Sequence, residues 1–78
     1  SITPGQCRAA RGLLGWSQAY LSRASKTATK TIADFERGAR EPYPRTLEDV
    51  RGAFENAGVV FIERTVEDQV FVFENRRA

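Results

Sequence analysis

Apolar residues recur at intervals of three and four up to Gly58 and gather into unbroken runs beyond it, so the chain divides there. The first pattern is helical, while runs of β-branched and aromatic residues favour strands. Thr3-Pro4-Gly5-Gln6 predicts a helix start. Threonine caps, proline suits the first helical position, and glutamine three residues on reaches back to the cap N–H. This helix should run to about Leu14, with Gly15 as its left-handed exit. Cys7, Ala10, Arg11 and Leu14 share its inward stripe. Arg11 therefore requires an acidic partner, because an unpaired buried guanidinium is costly. Ser17 caps a short second helix with Leu21 and Ala24 inward, and Ser25 to Thr27 form a tight turn. A third helix follows from about Ala28 to Arg37, closed by Gly38, with Ile32, Phe35 and Glu36 inward. Its other side is polar and short-chained (Ala28, Thr29, Lys30, Ala33, Asp34, Arg37), which suits close approach to another surface. Arg40 to Arg45, with two prolines, is a loop. A fourth helix begins near Pro44 to Thr46, carries Leu47, Val50, Phe54 and Ala57 on one stripe, and ends at Gly58.

Val59-Val60-Phe61-Ile62 and Val70-Phe71-Val72-Phe73 predict two strands, joined through the polar stretch Glu63 to Gln69. Neither alternates, so both faces of each call for burial. A four-helix body covers one face; the second face, or the free edge, is left for the same hairpin of another subunit. Val59, Phe61, Val70, Phe71, Val72 and Phe73 are the candidate dimerisation residues. The organisation expected is a helical domain over 1–58 and a C-terminal β extension over 59–78.

Composition narrows the chemistry. A chain of 78 residues buries only about 60% of the surface it exposes when unfolded, so a partner subunit is a natural source of stability. Cys7 is the only cysteine and histidine is absent, which excludes an internal disulfide and leaves almost nothing for a transition-metal or histidine-dependent site. There is no phosphate-cradling glycine loop and no carboxylate cluster; no enzyme, metal or cofactor is expected. No apolar run is long enough to cross a bilayer and no signal-peptide pattern occurs, so no membrane partner and a cytoplasmic location are expected. The net charge is only +2, yet residues 1–58 carry nine basic against six acidic side chains while 59–78 carry three against four. A basic body with a near-neutral apolar tail suits a polyanion at the body. Cys7 and Trp16 are taken as packing residues.

Two short helices joined by a tight turn form a helix-turn-helix unit. Within it, Leu14-Gly15-Trp16-Ser17-Gln18 and Thr31-Ile32-Ala33-Asp34-Phe35-Glu36-Arg37-Gly38 closely resemble the phage repressor and Cro type of helix-turn-helix proteins, the xenobiotic-response-element family, over roughly residues 3–58. The resemblance implies a mainly α fold: a four- to five-helix repressor-like domain with a C-terminal β-hairpin or strand pair used in dimerisation. It implies a homodimeric transcriptional regulator on a palindromic operator in double-stranded DNA. It places Thr29, Lys30, Ala33 and Asp34 against base edges, and Ser17, Gln18, Lys26, Arg37, Arg40, Tyr43 and Arg45 along the DNA backbone. It also makes Arg11 and Glu36 an ion pair between the first and third helices. The family's turn glycine is Lys26 here, whose left-handed conformation would cost about 1 kcal/mol or more. The usual capping serine is Ala28, which passes the cap to Thr27 or Thr29, and Tyr20 replaces the glutamate of a capping box.

Lys30 can donate to guanine N7 and O6, Asp34 can accept from cytosine N4, and Thr29 or Ala33 can touch a thymine methyl. Lys30 and Asp34 can equally form an exposed pair one turn apart. Two rival functions keep the fold: the antitoxin of a toxin–antitoxin pair, with the strands or tail on the toxin, and a protein-binding antiactivator that ignores DNA.

Overall fold

The computed structural model describes residues 2–63 and 70–74, with Glu63 and the segment 70–74 described by backbone alone. Four helices are followed by a strand pair: α1 (Pro4–Leu14), α2 (Gln18–Ser25), α3 (Thr29–Glu36), α4 (Pro44–Asn56), β1 (Val59–Glu63) and β2 (Val70–Glu74). The fold is mainly helical, as expected. Thr3 closes a capping box on α1: its Oγ1 accepts from Gln6 N at 3.1 Å, and Gln6 Oε1 accepts from Thr3 N at 2.9 Å. Gly15 ends the helix with φ +68°, a left-handed conformation that glycine adopts without the steric cost of a Cβ. Ser17 Oγ caps α2 by accepting from Tyr20 N at 3.0 Å.

The α2–α3 turn is made without glycine. Lys26 is left-handed, with φ +56° and ψ +39°, and its N–H closes on Ser22 O. Ser22 Oγ donates to Thr27 O at 2.6 Å, so the turn is tied to the helix before it. No side chain caps α3 at its Ala28 N-cap. Thr27, one of the two expected caps, instead donates from Oγ1 to Ser25 O at 3.3 Å, because its buried side chain points back toward α2.

The core is built from Ile2, Cys7, Ala10, Leu21, Ile32, Phe35, Leu47, Val50, Ala53, Phe54, Val59 and Phe61, with Leu14 and Trp16 packed against it. Two inward assignments shift. Ala24 is exposed and Ser25 is buried, its hydroxyl satisfied by Leu21 O at 2.6 Å. Beside Val50 and Phe54 it is Ala53 that is buried, and Ala57, the C-cap beyond the last residue of α4, is exposed. Trp16 stacks on Phe54 with centroids 5.7 Å apart, and Phe54 meets Phe61 edge-on at 6.0 Å. Trp16 is thus a packing residue that links the helix body to the strands.

β1 and β2 are antiparallel, with Phe61 opposite Val72, Ile62 opposite Phe71 and Val60 opposite Phe73. β2 runs along α1 and β1 along α4. Burial alternates along β1 although hydrophobicity does not. Val59 and Phe61, expected at a subunit contact, are buried in the protomer's own core, and Val60 and Ile62 are exposed. The pleat sends successive side chains to opposite faces, and α4 takes one of them. The side chains of Val70, Phe71, Val72 and Phe73 lie outside the described residues.

Candidate nucleic-acid interface

The site begins with the carboxylate that anchors α3. Glu36 is at the C-terminal end of α3 with its side chain 4% exposed. Arg11 on α1 grips it with both arms of its fork, Nε to Oε2 and Nη2 to Oε1, each at 2.7 Å. Planar bidentate pairing of this kind is the strongest geometry open to an arginine and a carboxylate. The third Arg11 nitrogen, Nη1, donates to Trp16 O at 3.0 Å, so the same residue fastens the α1–α2 corner.

Three more side chains converge on Glu36 that the sequence reading did not place there. Cys7 Sγ donates to Oε2 at 3.0 Å, Gln18 Nε2 donates to Oε1 at 3.0 Å, and Arg8 Nη1 donates to the Glu36 carbonyl. For Cys7 and Arg8 the signal was present in the spacing. Cys7 and Arg8 precede Arg11 by four and three residues, so all three belong to one side of α1. Gln18, expected along the DNA backbone, has an amide nitrogen with two hydrogens, of which the bond to Glu36 uses one.

The electrostatics follow from this geometry. Burial pushes the Glu36 carboxyl up, but the hydrogen bonds from Arg11, Cys7 and Gln18 and the charge of Arg11 outweigh it, leaving the group below the usual carboxylate range. Burial also drives the Cys7 thiol well above its ordinary value, and the bond to Glu36 adds to the rise. Cys7 therefore stays protonated and keeps the hydrogen it donates. Arg11 is pushed up by its hydrogen bonds to Glu36 against an opposing effect of burial.

With its inner side fixed by Ile32, Phe35 and Glu36, α3 turns the opposite side outward. Thr29 and Lys30 are exposed, and Ala33 and Asp34 are partly covered. Lys30 Nζ meets Asp34 Oδ2 at 3.3 Å, and Arg37 Nη2 meets Asp34 Oδ1 at 2.7 Å. An open cleft of about 530 Å³ lies between α3 and the segment leading into α4; Lys26, Lys30, Arg40, Tyr43 and Asp34 line it. Arg37, Arg40, Tyr43 and Arg45 are all exposed, Ser17 is exposed at the start of α2, and Gln18 is half-buried beside it. The geometry thus presents a narrow surface of short polar side chains with cations on both flanks. Among the described residues no set of metal-ligating side chains comes together, and no helix is long and apolar enough to cross a membrane.

A helix-turn-helix family model matches residues 8–55, a span that begins in α1 and ends in the last turn of α4. No curated protein matches the chain.

Proposed function

The chain belongs to the Cro/C1-type, or xenobiotic-response-element, helix-turn-helix family of DNA-binding regulators, and from that premise we propose that it is a repressor acting as a homodimer on a palindromic operator. The outer side of α3 enters the major groove. Thr29, Lys30, Ala33 and Asp34 meet base edges there, with Lys30 donating to guanine and the Thr29 or Ala33 methyl against thymine. Ser17, Gln18, Lys26, Arg37, Arg40, Tyr43 and Arg45 lie along phosphates on either side; these contacts set position and salt-sensitive affinity without reading sequence. The observation that carries this reading is the way α3 is held. A bidentate Arg11–Glu36 pair locks its inner side to α1, which leaves only its short polar side free for a partner.

One such face spans few base pairs. A twofold dimer sets two of them about 34 Å apart on successive major grooves. The exposed side of β1, with Val60 and Ile62, is the surface through which the copies join.

The test is binding of selected and scrambled duplexes across a salt series. Lys30→Ala should lose roughly 1–3 kcal/mol on the selected duplex and relax preference at one base pair per half-site. Arg40→Ala should weaken both duplexes alike and flatten the salt slope by about one per subunit. A Lys30→Ala protein with unchanged base preference would contradict the assignment of α3.

A further inference from the structure

The reading face carries an acid where a polyanion is to arrive. Asp34 follows Lys30 by one turn and precedes Arg37 by three residues, and its carboxylate engages both, one oxygen each. Exposure is uneven within this trio. The Lys30 and Arg37 side chains are 84% and 68% exposed, whereas that of Asp34 is 14% exposed beneath them. Two exposed cations of the face are therefore already turned onto one carboxylate before any phosphate arrives. The hydrogen bond from Arg37, and then that from Lys30, keeps Asp34 below the usual carboxylate range, so the competing charge is present throughout the neutral range. Glu41 and Asp49 line the same cleft and add to the negative charge behind it.

We infer, building on the DNA-reading function above, that Asp34 is a discriminating residue whose carboxylate competes with DNA phosphates for Lys30 and Arg37 and so disfavours duplexes of the wrong sequence. On such a duplex the cations must exchange the carboxylate for phosphate, and the displaced carboxylate then faces a polyanion with no donor. On a matched duplex a cytosine N4 amino group at that position donates to Asp34. Lys30 and Arg37 are released to their own partners at the same moment. The repulsion thus falls on mismatched DNA and is relieved on the operator, which raises specificity without adding affinity.

The experiment compares the wild-type chain with Asp34→Asn on a selected duplex and on random-sequence duplex, each titrated with salt. Asparagine keeps the size of the side chain and removes the charge. Random-duplex affinity should rise roughly five- to tenfold per subunit at about 0.1 M salt, and the slope of log K against log salt should steepen by about 0.9 per subunit, as for one more neutralised phosphate. The selected duplex should gain less, so the ratio of selected to random binding falls. Asp34→Ser, a second neutral replacement, should act in the same direction. Arg37→Gln should flatten the random-duplex slope more in the Asp34→Asn background than in the wild type, where Asp34 already holds the guanidinium, a non-additivity that a merely structural effect of Asp34 would not produce. If the wild type discriminates and Asp34→Asn leaves random-duplex affinity and slope unchanged, the inference is overturned while the DNA-reading function stands. If neither protein binds any duplex in dilute buffer, both are overturned together.

Discussion

At the scale of single residues the molecule depends most on Glu36, a carboxylate removed from water and compensated by Arg11, Cys7 and Gln18. Removing one partner from a buried charge pair costs more than the pair itself contributes, because the remaining charge keeps its burial and loses its compensation. Arg11→Ala should therefore lower the unfolding free energy by about 2–4 kcal/mol in a urea titration, the lower figure reflecting the partly exposed arginine. The pH dependence has a definite sign. Glu36 is held below its ordinary value of 4.5 in the folded chain, so its contribution is fully present above that value and is lost as pH falls beneath it toward the lowered folded value. Wild-type stability should drop on acidification through this range, and Glu36→Gln should flatten that drop. Equal acid slopes for the two proteins would show that Glu36 has no special partnership in the fold.

At the scale of elements, α3 starts without a capping side chain, since Ala28 has the extended backbone of a cap (φ −58°, ψ 138°) and no side chain to cap with. Ala28→Ser supplies an oxygen to the free N–H groups of the first turn and should raise stability by about 1 kcal/mol, read as a higher urea midpoint at unchanged m. No rise would mean that those N–H groups are already satisfied. The other helix ends were largely legible in the sequence, because capping chemistry is local: Thr3 with Gln6, Gly15, Ser17 and Gly38 each mark a boundary on their own, whereas the cap expected on α3 from Thr27 or Thr29 does not form. The Arg11–Glu36 pairing was legible only through the family resemblance, since residues 25 apart carry no local signal of contact. Ser25 and Ala53 were missed as inward residues, as a stripe drawn at three and four leaves two candidates per turn and tertiary packing picks between them. Burial along β1 was illegible for a different reason. Four apolar residues in a row look alike, and only the docking of β1 against α4 makes Val59 and Phe61 inward and Val60 and Ile62 outward.

At the scale of the whole molecule, two surfaces remain to be matched with partners, the outer side of α3 and the outer side of β1. They are built from different elements, so a dimer can form through one while DNA occupies the other. Ile62→Lys, at a position exposed in the protomer, should leave the fold intact, yield monomers by light scattering and weaken operator binding. A dimer that survives the substitution would remove β1 from the subunit contact.

The account's central claim is that the side of α3 facing away from Arg11 is the surface that enters DNA. A nitrogen-15 NMR titration of the protein with a selected duplex reads this residue by residue. The largest amide shifts are predicted at Thr29, Lys30, Ala33 and Asp34, with smaller ones at Ser17, Gln18, Lys26 and along 37–45. Shifts gathered instead on β1 or on the exposed side of α4, with α3 silent, would contradict it.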